Sequence, residues 1–123
     1  MEQREAIFTE RELDVMNILW ERGSGTVAEV KDALHDPLAY TTVLTILRTL
    51  EAKEFVDHEE EGRAYRYFPV VEKDEARETH LARLLNKLFQ DSPEALLTQL
   101  VSDRSLPRED LERMRQLIDE RLG

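Results

Sequence analysis

Apolar residues recur along this chain in blocks whose spacing changes twice. Leu13, Met16 and Trp20 stand at helical intervals, and Val15, Ile18 and Leu19 widen the arc, which predicts a largely buried first helix. Thr9 followed by Glu12 is a capping-box pattern at its start, and Gly23-Ser24-Gly25 ends it. Thr26 and Glu29 repeat that pattern before a short second helix carrying Val27, Val30 and Leu34, and Asp36-Pro37 breaks the chain after it. A third helix is predicted from Tyr40 to Lys53, with Val43, Ile46, Leu47 and Leu50 at i, i+3, i+4 and i+7. The period then shortens. Phe55–Glu59 and Arg63–Val70 read as strands joined by a turn at Glu60-Glu61-Gly62. Three helices followed by a hairpin is the order of a winged helix-turn-helix, and residues 1–71 are assigned to it.

From Lys73 onward the pattern is helical throughout. Leu81, Leu84, Leu85 and Leu88 line one face of a long helix ending near Phe89. Ser92-Pro93 pairs an N-cap with proline at the first helical position and opens a helix carrying Leu96, Leu97, Leu100 and Val101. Pro107 starts a last helix with Leu111, Met114, Leu117 and Ile118 apolar. The predicted class is thus mainly α with a small β-hairpin: a winged helix over 1–71, then a three-helix domain over 72–123. So short a segment, with no sheet to pack on, rarely builds a sufficient core alone. Its leucine surplus points to homodimerisation through Leu81, Leu84, Leu85, Leu88, Leu96, Leu97, Leu100, Leu111, Met114 and Ile118. The alternative is packing back onto the first domain.

Composition narrows the chemistry. The 123 residues contain no cysteine, which removes disulfide scaffolds, thiolate metal sites and thiol catalysis. No apolar run approaches the roughly 18 residues of a membrane span. Met1 to Ala6 is polar with three charges, unlike a secretory signal, and a soluble cytoplasmic protein is expected. Lys and Arg number 17 against 27 Asp and Glu, a formal net charge of −10. Residues 1–71 hold 8 basic against 15 acidic residues, net −7, and residues 72–123 hold 9 against 12, net −3. Nucleic-acid affinity usually rests on a basic patch. Any such function here must come from local placement of charge.

The third helix provides that placement. Opposite its core arc lie Thr41, Thr45, Arg48 and Ala52, flanked by Thr42 and Thr49, with no carboxylate among them. Small hydroxylated side chains let a helix enter the major groove, and Arg48 suits a guanine edge or a phosphate. An ordinary solvated face in so acidic a chain would carry Glu and Lys. Arg63 and Arg66 flank the hairpin as candidate wing contacts, although Glu59, Glu60 and Glu61 crowd its tip. Tyr65, Tyr67 and Phe68 read as a stacking platform for single strands or as strand residues packed on the helices. Enzyme readings find no support: His35, His58 and His80 are isolated in sequence, and neither an HExxH pattern nor a glycine-rich phosphate loop occurs. His58 beside Glu59 and Glu61 is the one weak metal candidate. No metal or other cofactor is expected.

The segments Leu19-Trp20-Glu21, Thr26-Val27-Ala28-Glu29-Val30, Ala39-Tyr40-Thr41-Thr42-Val43-Leu44-Thr45, Gly62-Arg63-Ala64 and Tyr67-Phe68-Pro69 resemble the penicillinase-repressor (BlaI/MecI/CopY) family. Leu84–Leu100, with Asp91-Ser92-Pro93, is similar to that family's dimerisation domain. The resemblance implies a homodimeric repressor on an inverted-repeat DNA operator, controlling β-lactamase or related resistance and stress genes. It puts the recognition helix on Tyr40–Lys53, so that Tyr40 and Lys53 join the DNA-contact candidates, and the wing on Phe55–Pro69. It also implies release by a membrane-bound sensor protease cutting at an Asn-Phe bond, whose position falls on Gln99-Leu100. Glu54 stands where the family usually has glycine, the wing tip is unusually acidic, and the cysteines of copper-responsive relatives are absent. A reading from another class is an acidic dimeric winged-helix adaptor that binds protein.

Overall fold

The computed structural model describes residues 5–123; residues 1–4, part of the polar N-terminal stretch read above, lie outside them. Both N-terminal capping boxes form. Helix α1 (Glu10–Arg22) starts where the Thr9 hydroxyl accepts from the Glu12 amide and the Glu12 carboxylate accepts from the Thr9 amide. Helix α2 (Val27–Ala33) starts the same way on Thr26 and Glu29. Gly23 caps α1 at φ 86°, a conformation that costs a side-chain-bearing residue about 1 kcal/mol. Helix α3 (Tyr40–Ala52) follows.

The hairpin is β2 (Val56–Glu61) and β3 (Ala64–Pro69). Its loop is Gly62-Arg63, one residue later than the sequence pattern predicts, because Glu61 still pairs with Ala64. Gly62 alone takes the positive φ, 62°, which suits a loop with glycine first. A third strand, β1 (Gly25–Thr26), was not foreseen; it pairs antiparallel with Tyr67 and Arg66, giving the order β1-β3-β2.

The core joins Val15, Met16 and Leu19 of α1 to Val30, to Val43, Leu47 and Leu50 of α3, and to Phe55, Val56 and Tyr67. Phe8 seals one side against Phe55 and Trp20, at ring-centroid distances of 4.7 and 5.9 Å. The Trp20 indole donates to the Val71 carbonyl at 2.8 Å.

Helix α4 (Lys73–Phe89) begins in this first unit: Ala76 is buried in the core, and the Phe8 amide donates to His80 Nε2 at 3.2 Å. Two compact units divide between His80 and Leu81, inside α4. A small alanine and a polar histidine carry no apolar signal by which the sequence would show that docking.

The second unit holds the rest of α4, then α5 (Pro93–Val101) and α6 (Arg108–Leu122). Gln90 and Asp91 take φ 48° and 60° in the α4–α5 turn, and the Ser92 hydroxyl caps α5 by accepting from the Ala95 amide. Neither α5 nor α6 has a buried residue. Leu81, Leu84, Leu88, Leu97, Leu100, Val101, Leu117 and Ile118 are exposed, whereas Leu85, Leu96, Leu111 and Met114 are half-buried. No helix among the described residues is long and apolar enough to cross a membrane.

Candidate nucleic-acid interface

The packing of α3 decides which of its side chains face outward. Val43, Leu47 and Leu50 are completely buried, so Thr41, Thr42, Thr45, Arg48, Thr49 and Ala52 are left exposed, with Tyr40 at the helix start 50% exposed. Arg48 takes part in no ion pair among the described residues. The Thr45 hydroxyl donates to the Thr41 carbonyl at 2.9 Å, as threonine often does within a helix. With that hydrogen engaged, the hydroxyl oxygen of the exposed Thr45 is left as an acceptor.

The N-terminus of α3 also differs from those of α1, α2 and α5. Their caps Thr9, Thr26 and Ser92 accept backbone hydrogens, and each of their first turns carries glutamate. The cap of α3 is Ala39, with no side-chain hydrogen bond, and its first turn has no acid. Its first amides and the positive end of its dipole are therefore open to an anion.

Two of the other cations expected to meet DNA, Lys53 and Arg66, have partners within the protein. Lys53 donates to Glu12 Oε2 at 2.8 Å, tying the end of α3 to the start of α1. Burial of Glu12 would raise its pKa, but the Lys53 ammonium and the Thr9 amide outweigh that and hold the carboxyl below its ordinary value. Arg66 faces α2 and the wing tip: it meets Glu29 at 2.9 and 3.1 Å and Glu61 at 2.8 and 3.0 Å, with Ser24 Oγ at 3.3 Å. Hydrogen bonds to this guanidinium lower both carboxyl pKa values, and the two carboxylates raise that of Arg66. Arg63, at the loop, remains exposed and forms no ion pair among the described residues.

Of the expected stacking platform, Tyr67 is in the core, Phe68 is half-buried and Tyr65 is exposed against His58, at 4.3 Å between centroids. His58 does not meet Glu59 and Glu61, since Glu61 is held by Arg66. It contacts Glu51 at the end of α3 through Nδ1, and with Asp57 these ligand atoms lie within 4.8 Å of one another. Sequence reasoning missed this pairing and those of Lys53 and Arg66, because the partners lie on different elements.

The model of the penicillinase repressor family matches residues 8–120. The chain is 24% identical to the penicillinase repressor of Bacillus licheniformis over 114 residues, 91% of this chain and 89% of that one. It is 20% identical to the methicillin resistance regulatory protein MecI of Staphylococcus aureus (strain N315) over 112 residues, 89% and 91% of the two chains. The solution structure of the DNA-binding domain of the repressor BlaI superposes with a TM-score of 0.54 at 26% identity, covering 60% of this chain and 93% of that one.

Proposed function

The chain belongs to the penicillinase repressor family, and from that premise we propose that it is a DNA-binding transcriptional repressor that holds an inverted-repeat operator as a homodimer. The observation that carries the reading is the exposed face of α3, free of carboxylates and opening on an uncapped N-terminus, in a chain of net charge −10. Tyr40, Thr41, Thr42, Thr45 and Arg48 contact the operator: the open amides take a backbone phosphate, the Thr45 lone pairs a base amine, and Arg48 a guanine edge or a phosphate. Arg63 tracks the backbone from the wing. Lys53 and Arg66 orient α3 and the wing through Glu12, Glu29 and Glu61 instead of touching DNA.

The second unit dimerises the repressor, a role supported by the exposed leucines of α4 and α5 and the exposed Leu117 and Ile118 of α6. Release runs through α5, where Gln99-Leu100 lies in a formed helix. A protease must first unfold that turn, and a membrane sensor specific for Asn-Phe does not cut Gln-Leu.

The test is fluorescence anisotropy with a duplex footprinted upstream of the protein's own gene. The expected result is salt-sensitive binding that weakens by about 1–3 kcal/mol in Arg48→Ala if Arg48 reads a base, or loses about one unit of salt slope if it meets phosphate. Absence of any salt-sensitive duplex affinity would leave the protein-binding adaptor.

A further inference from the structure

Within the first unit, a cavity of about 240 Å³ opens between α1 and the start of α4. Leu13 and Trp20 of α1 and Ala76 of α4 form its apolar wall, and Lys73, Arg77 and His80 of α4 line it with hydrogen-bond donors. In a chain with 27 acidic residues, none of the lining residues is a carboxylate. A second groove, on the neighbouring face of α1 and sharing Asn17 with the first, is lined by Glu10, Asp14 and Asp36. The positive character therefore belongs to the first cavity and not to the surface in general.

Two of its polar groups are already oriented. The Trp20 indole hydrogen is held by the Val71 carbonyl at 2.8 Å, which fixes the ring as a wall. His80 Nε2 accepts from the Phe8 amide, so a neutral ring carries its hydrogen on Nδ1, which has no partner among the described residues. Lys73 forms no ion pair among the described residues, and Arg77 has only a long contact with Asp74 at 3.4 Å, both side chains being well exposed. A cavity of roughly 150 Å³ is enough for benzene. The space, the flat wall and the donors match one aromatic ring bearing a carboxylate.

We propose that this cavity binds a small aromatic carboxylate and that its occupancy changes operator affinity; the second half rests on the repressor reading. A ring wedged between Trp20 and Ala76 alters how α4 lies on α1. Helix α4 continues beyond His80 into the unit assigned to the dimer.

The probe is benzoate, with benzyl alcohol as its uncharged counterpart. Trp20 is the only tryptophan, so its indole N–H resonance reports directly from the wall. Benzoate should shift that resonance saturably at millimolar concentration, benzyl alcohol should bind at least about tenfold more weakly, and Lys73→Glu with Arg77→Glu should weaken benzoate by a similar factor. Glutamate at position 73 suits the first turn of α4, so the variant keeps its fold. No saturable shift, equal binding of the alcohol, or no response to charge reversal would overturn the site. Charge-selective binding that leaves operator affinity unchanged would overturn its regulatory half. Failure of the ligand-free protein to bind operator at all is a separate outcome, which tells against the repressor reading alone.

Discussion

Replacing Glu54 by glycine should stabilise the protein. Glu54 follows the end of α3 with φ 66°, and its amide donates to the Glu51 carbonyl at 2.9 Å, so the chain must turn there through the left-handed region. That conformation costs a residue with a Cβ about 1–2 kcal/mol. Glycine removes the penalty but adds roughly 0.5–1 kcal/mol of freedom to the unfolded chain. The net gain is about 0.5–1 kcal/mol, which for a domain of this size raises Tm by roughly 2–6 °C. The Glu54 side chain is exposed and makes no ion pair among the described residues, so little is lost with it. Its charge is a separate matter in a chain of net −10, and Glu54→Gln isolates it. Urea unfolding should rank Glu54→Gly above Glu54→Asn, since asparagine tolerates this region better than most residues, and both above Glu54→Gln. If Glu54→Gln gains as much as Glu54→Gly, relief of charge and not backbone geometry sets the stability of this turn.

Glu12→Gln keeps the capping box but loses the attraction to Lys53. Because the Glu12 pKa is lowered on folding, its contribution is present above the ordinary value of 4.5 and is lost as pH falls through the folded value. Unfolding as a function of pH should show the variant weaker by about 1 kcal/mol at neutral pH, discounted for the half-open ammonium, and equal to the parent in acid. Arg66→Ala should lower the melting temperature while leaving the salt slope of operator binding unchanged; a slope flatter by about one unit would return Arg66 to the DNA contacts. A chain ending at His80 should fold, sediment as a monomer and bind operator more weakly for want of a linked half-site. One ending at Val71 should be less stable, because it lacks Ala76 and the His80 acceptor.

The legible part of the fold was local. Thr9 with Glu12 and Thr26 with Glu29 announced two helix starts, because a capping box closes within four residues. The buried stripe of α3 announced its exposed face by subtraction. Strand β1 was illegible because two residues have no period, and it exists only through pairing with Tyr67 and Arg66. The roles of Lys53 and Arg66 were hidden for a similar reason: Glu12 lies 41 residues from Lys53, and Glu29 lies 37 from Arg66. Each cation looked free until folding brought its carboxylate to it. The absence of acid from the first turn of α3 was plain in the sequence, but it gained meaning only beside three helices that are capped.

The acidic body around α3 bears on how a repressor finds one site in a genome. Non-specific duplex affinity comes from phosphate neutralisation and applies equally to every stretch of DNA. Here Lys53 and Arg66 are neutralised internally and Glu59 and Glu60 stand exposed on the wing, which leaves fewer cations to supply that general attraction in the proposed repressor. The base-edge contacts proposed for Thr45 and Arg48 would form only where the sequence matches. Since occupancy is set by the ratio of matched to unmatched binding and not by tightness alone, weakening the unmatched term sharpens discrimination without adding a single contact to the operator.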